Sequence, residues 1–205
     1  MRCRPVQAGR HFFRSFSAYA QVTMRQLIRG EFASITPCDE RERADLNMAL
    51  AWIDSGVELC RLAKPATPPI HLVAYFVVVD GASVLLVDHR NAQLWLPPGG
   101  HVDLGEHPRA TVARELQEEL GFSAAHAIGA PLFVTVTGTV GLTAGHTDVS
   151  LWYVVHASRA QALVFDQSEF TEVRWFLADE VPTTRVEPNL QRFLAKLALV
   201  EGRGQ

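Results

Sequence analysis

The stretch that decides the fold is Gly100-His-Val-Asp-Leu-Gly-Glu106-His-Pro-Arg-Ala-Thr-Val-Ala-Arg114-Glu115-Leu-Gln-Glu118-Glu119-Leu-Gly121-Phe122. Residues 108–120 predict a helix. Within it Glu115, Glu118 and Glu119 stand at i, i+3 and i+4 and share one face. Val112, Ala113, Leu116 and Leu120 take the other side and can meet a core. Gly121 follows where a helix wants a left-handed residue. Glu106 lies in the loop or first turn before the helix. Carboxylates gathered on one face repel each other, and a cation relieves that repulsion. Oxygen donors are hard, so Mg²⁺ is the natural guest and Mn²⁺ an acceptable one. Arg114 can orient one carboxylate through a charge-assisted hydrogen bond. Gly99-Gly100 lets the backbone come close, so a main-chain carbonyl could add a ligand. A bare E-x-x-E-E would read only as a solvated acidic face; the surrounding pattern changes that reading.

Working outward, residues 71–80 are rich in Val, Phe and Tyr and predict a strand. Asp80-Gly81 is a hairpin turn signal, and 83–88 a second strand. Leu94-Trp95-Leu96 is a short apolar run stopped by Pro97-Pro98-Gly99-Gly100. Residues 131–140, 149–157 and 173–177 predict further strands, and 185–200 a closing helix with Leu190, Phe193, Leu194, Leu197 and Val200 on one side. Strands with few helices between them, one pair in a hairpin, predict a mixed sheet flanked by helices.

Upstream, Thr36 and Pro37 predict a helix start, with Asp39 and Glu40 at the positive end of its dipole. Leu46, Leu50, Ile53, Val57 and Cys60 give that helix, 36–61, one apolar stripe, and Gly56 weakens it locally. The stripe needs cover, from the chain's own sheet or from a second copy in a homodimer. Lys64-Pro65-Ala66-Thr67-Pro68-Pro69 predicts a stiff, extended linker. The first 23 residues are Arg-rich and acid-poor, and read as a flexible basic arm or an over-extended start before Met24, with a targeting peptide the bolder reading. The expected organisation is therefore an arm (1–35), a helix and linker (36–64) and a catalytic domain (65–205).

The central stretch resembles the Nudix box, G-x(5)-E-x(7)-R-E-U-x-E-E-x-G-U with U a bulky apolar residue. It matches at every fixed position: Gly100, Glu106, Arg114, Glu115, Leu116, Glu118, Glu119, Gly121 and Phe122. Leu96-Pro97-Pro98-Gly99-Gly100 resembles the family's lead-in. The resemblance covers roughly 70–199. It implies an α/β fold, a Nudix α/β/α sandwich with a mixed β-sheet, here with an N-terminal helical extension. It also implies hydrolysis of a nucleoside diphosphate linked to another moiety, X. By position, Glu118 and Glu119 would be metal ligands and Glu115 a ligand or the general base. Arg114 would orient Glu115, and Glu106 would assist the metal shell. The Gly99 or Gly100 carbonyl would complete coordination. Some family members use another carboxylate from a loop before a late strand. Glu169 is the first candidate here and Asp148 the second, with Asp166 and Glu172 competing.

Of the other residues in reach, His101, His107 and His146 read first as surface or structural histidines; phosphate contact or acid catalysis is the alternative. Tyr75, Trp95 and Trp152 read as packing residues before base-stacking ones. Arg90 and Asn91 divide evenly between a ligand-facing loop and a solvated turn.

Composition narrows the class. Of 205 residues 48% are hydrophobic and 20% charged, enough for a sizeable core. No uninterrupted apolar stretch has spanning length, so no membrane span is expected. Net charge is −3, yet residues 1–30 hold six arginines and no acid, leaving −9 on the rest. So acidic a body argues against binding duplex nucleic acid. Cys3, Cys38 and Cys60 have no metal-cluster spacing and fit a reducing cytoplasm. The competing function is a nucleotide-sensing binding module on the same fold, with tight binding and no turnover as its mark. A prenyl-diphosphate isomerase would want a catalytic cysteine, and none follows Cys60.

Overall fold

The computed structural model describes residues 22–202 apart from 65, 141 and 143. The basic segment 1–21 lies outside the described residues. The chain order is α1 (Met24–Ala33), α2 (Glu40–Asp54), β1 (Ile70–Asp80), β2 (Ser83–His89), β3 (Leu94–Leu96), β4 (Gly99–His101), α3 (Pro108–Leu120), β5 (Phe133–Gly138), β6 (Thr147–His156), β7 (Phe170–Leu177) and α4 (Leu190–Glu201).

The sheet runs β3-β2-β1-β6-β5, with β4 also paired to β1 and β7 to β2. β1 and β6 are parallel from Ile70↔Thr147 to Val79↔His156, and the other pairs are antiparallel. The mixed sheet expected from the sequence is therefore present. Alternate residues of β1 serve its two faces. Leu72, Ala74, Phe76 and Val78 join a core with α1, α2 and α3, while Val77 and Val79 join one with α4. Helices cover both faces, which makes the α/β/α sandwich. Among the described residues no helix is long and apolar enough to cross a membrane.

The N-terminal region departs from its expectation. The expected arm contains α1, capped by Thr23, whose side chain and that of Gln26 satisfy each other's backbone N–H groups. α2 starts three residues after Pro37: Asp39, not Thr36, is its cap and accepts from the Glu42 N–H. Asp39 wins because its carboxylate also accepts from Arg192 of α4 at 2.9 and 2.6 Å. α2 ends at Asp54, with Gly56 left-handed at φ 81°. There Arg25 of α1 donates to the Ile53 carbonyl at 2.8 Å and also reaches those of Gly56 and Val57. Leu46, Ala49 and Ile53 are buried in the chain's own core, but Val57 is exposed, because the helix has stopped before it. The proline-rich stretch does not run straight: Ala63 and Thr67 pair antiparallel across a turn. The closing helix begins at Leu190 rather than 185, where Arg185 has φ 54°; Leu190, Phe193, Leu194 and Leu197 are buried and Val200 is exposed.

A buried ion pair locks α2 to α4 across the body. Lys196 Nζ lies 2.6 Å from Glu42 Oε1, with both side chains almost fully out of water.

Candidate active site

α3 is placed by Leu116, Leu120 and Val112, all fully buried against the sheet. It starts at Pro108 and ends at Gly121, φ 75°, as its sequence requires. His107 serves as its cap, accepting at Nδ1 from the Arg109 N–H, so the structural reading of this histidine holds.

The packing turns Glu115 and Glu119 toward β4. Glu119 is 6% exposed and accepts from the Gly99 N–H at 3.1 Å. Glu115 lies so close to Gly100 that a Cβ there would stand 1.8 Å from its Oε1. Only glycine leaves that space. Arg114 gathers the acids: it pairs with Glu106 through Nε and Nη2, both at 3.1 Å, and through Nη1 reaches Glu115 at 2.8 Å and Glu118 at 3.1 Å. It also donates to the His101 carbonyl, 3.2 Å away, and lies 3.9 Å from Asp103 Oδ2. Glu106 is further held by the Thr111 hydroxyl at 2.7 Å and the Asp103 N–H at 3.1 Å. Its oxygens are thus engaged in fixing Arg114.

Burial, then the charges of Glu115 and Glu169, push the Glu119 carboxyl well above its ordinary range. Burial also raises Glu115, against the lowering effect of Arg114, and Glu118 and Glu169 add to the rise. Glu106 goes the other way: bonds from Arg114 and Thr111 outweigh burial and hold it low. Of the late acids, then, Glu169 is the one whose charge acts on the helix glutamates. Its turn is tied to the β2–β3 loop, where the Arg90 N–H donates to the Glu169 carbonyl at 2.9 Å and Arg90 Nε to the Gln167 carbonyl at 2.8 Å. Asp166 instead accepts from the Ser168 N–H at 2.7 Å, and Glu172 pairs with Arg174. Asp148 stands among histidines, apart from the helix.

Glu115, Glu118 and Glu119 stand on one side of α3, and the charge of Glu169 reaches Glu115 and Glu119. Carboxylates are hard oxygen donors of the kind a divalent cation takes. Beside it opens a cavity of about 400 Å³, lined by Gly99, Gly100, Tyr75, Leu142, Asp148 and Glu187 among others. The helix glutamates do not line it; β4 is where the two meet. Trp152 is fully buried, its Nε1 donating to Thr135 Oγ1 at 3.0 Å, and Trp95 packs edge-on against Phe176, so both are packing residues. Tyr75 lines the cavity.

A sequence model described as the NUDIX domain matches residues 69–197. The chain belongs to the NUDIX family. With its box complete, it is a Nudix pyrophosphohydrolase. A MutT-like protein of Streptomyces ambofaciens is 29% identical over 136 residues, covering 65% of this chain and 82% of its own. A Bacillus subtilis protein named as a putative 8-oxo-dGTP diphosphatase is 42% identical over 52 residues, which is 24% of this chain and 35% of that one. Among solved structures, the NUDIX domain of Shewanella oneidensis NrtR, determined with ADP ribose, superposes with a TM-score of 0.52 at 22% identity, covering 63% of this chain's length and 87% of its own. That last likeness shows the Nudix fold.

His71 escaped the sequence reading. It is fully buried at the start of β1, beside His101, His146 and Asp148. No spacing rule links positions 71, 101, 146 and 148; only the pairing of β1 with β4 and β6 does.

Proposed function

We propose that this Nudix protein hydrolyses the pyrophosphate bond of a nucleoside diphosphate linked to X, with Mg²⁺, or Mn²⁺ in its place, held by Glu118, Glu119 and Glu169. The gathering of Glu106, Glu115 and Glu118 around Arg114, with Glu119 almost wholly buried beside them, carries the reading. Bound there, the cation would supply charge neutralisation for the diphosphate and a more acidic water. The chain's own residues do the rest. Arg114, clamped by Glu106, fixes the rotamer of Glu115. Glu115 takes the proton of the attacking water, the role its partly buried, raised carboxyl suits. The Gly99 or Gly100 carbonyl would complete the coordination, and the adjoining cavity receives the nucleotide or X. The relatives, one named as a putative 8-oxo-dGTP diphosphatase and one a domain determined with ADP ribose, support a nucleotide or nucleotide conjugate as substrate.

The test is a nucleotide panel with Mg²⁺, comparing the wild type with Glu118→Gln combined with Glu119→Gln. Turnover of at least one nucleotide, abolished in the double variant, is expected. Undiminished turnover in that variant refutes the site. Tight nucleotide binding without hydrolysis of any compound favours the sensing module instead.

A further inference from the structure

We propose a second metal site, distinct from the glutamate cluster, in which His71, His101, His146 and Asp148 hold a zinc-class divalent ion. The four side chains come from three strands and one loop, and one donor atom from each lies within 4.8 Å of all the others. His71 Nε2 is 3.0 Å from His101 Nε2 and 3.4 Å from Asp148 Oδ1, and His146 Nε2 is 3.4 Å from the same oxygen. A tetrahedron with zinc–ligand bonds of about 2.0–2.1 Å has edges of roughly 3.3–3.4 Å. These three separations are therefore close to the edges of a zinc tetrahedron.

The hydrogens are disposed for it. His71 Nδ1 sits 2.9 Å from the Pro68 carbonyl, which can only accept. Nδ1 therefore carries the hydrogen and Nε2 offers a lone pair. Thr139 Oγ1 donates to the His146 carbonyl at 3.1 Å and lies 3.2 Å from His146 Nδ1. With the hydroxyl hydrogen so used, the ring donates from Nδ1, and Nε2 of His146 is a lone pair as well. His71 Nε2 then accepts from His101 Nε2 at 3.0 Å, a hydrogen that a metal would displace, and both lone pairs also lie 3.4 Å from Asp148 Oδ1, a buried oxygen with no hydrogen-bond donor among the described residues. Lone pairs turned on an anionic oxygen repel; a cation between them reverses the sign. Three imidazoles select zinc or its late first-row neighbours over Mg²⁺, which prefers oxygen throughout.

Four protein ligands make a closed, structural site. The ion would pin β4 to the starts of β1 and β6 one residue from Gly100, and so brace the wall against which Glu115 rests.

The test uses the full chain carrying Glu118→Gln and Glu119→Gln, so that the glutamate cluster no longer competes. After chelation and reloading, one zinc per chain is expected, with imidazole scattering at the zinc absorption edge. Co²⁺ in its place should give the strong visible bands of four-coordinate geometry. Zinc should also raise the melting temperature. Adding His146→Gln or Asp148→Asn should weaken zinc binding by more than about tenfold. No zinc retained, or six-coordinate oxygen ligation, overturns the proposal even if the histidine variants fail to fold. Activity of the glutamate double variant is a separate readout, so either metal site can fail alone.

Discussion

Gly100→Ala is the sharpest probe of how this site is built. The new Cβ would stand 1.8 Å from Glu115 Oε1 and 2.3 Å from its Cδ, whereas contacts under 3.0 Å are essentially never tolerated. The carboxylate must retreat by more than an ångström. It sits at the end of a flexible side chain, so the fold accommodates the change at a cost of about 1 kcal/mol or less. Chemistry does not: a misplacement of about 1 Å is worth ~10²-fold in rate, and loss of a positioned base ~10²–10⁴-fold. Steady-state hydrolysis with Mg²⁺ should therefore show kcat down by at least about 10²-fold, with a melting temperature within a few degrees of wild type. Gly129→Ala is the control, since a Cβ there meets nothing within 4 Å; its kcat should be unchanged. Normal kcat in Gly100→Ala would mean that Glu115 is not needed where it lies, and the base assignment would fail.

Two further outcomes concern the body of the fold. Lys196→Met strips Glu42 of its buried partner while the Cys38 N–H, at 2.7 Å, remains; a lone buried carboxylate should cost about 3–5 kcal/mol, a fall of roughly 6–20 °C in Tm. Adding Glu42→Gln should restore most of that, and a single variant as stable as wild type would contradict the pairing. Asp39 is held at about 2 by hydrogen bonds from Arg192 and the Glu42 N–H, below its ordinary 3.8. A depressed carboxyl contributes stability above pH ~4 that is lost as pH falls toward ~2. Asp39→Asn keeps a capping oxygen but loses the charge, so its acid-unfolding curve should be flatter over that window; an unchanged curve counts against the Arg192 contact.

Local signals served the sequence reading where one element carried all the information. α3 was legible to the residue because Pro108 and the apolar side lie within the helix and Gly121 directly follows it. β1 and β2 were legible from their residue types and the Asp80-Gly81 turn, whereas β3 showed only as a short apolar run. β4 was not: three residues, two of them glycine, show no periodicity, and pairing with Val73–Tyr75 alone makes it a strand. α1 lay hidden in a basic segment, although Thr23 and Gln26 at capping-box spacing were a readable signal, with Ile28 and Phe32 one turn apart behind it. The start of α2 was a tie between Thr36 and Asp39 that Arg192, 153 residues away from Asp39, decides.

The glutamate site divides in the same way. Sequence by itself determined which carboxylates share a helix face and that Arg114 stands among them, because helical spacing is a local property. Folding decided that Glu119 is buried against Gly99, that Glu106 clamps Arg114, and that Asp148 goes to the histidines while the charge of Glu169 acts on Glu115 and Glu119. Those facts depend on which strands lie side by side, and strand pairing is settled by contacts between residues far apart in the chain.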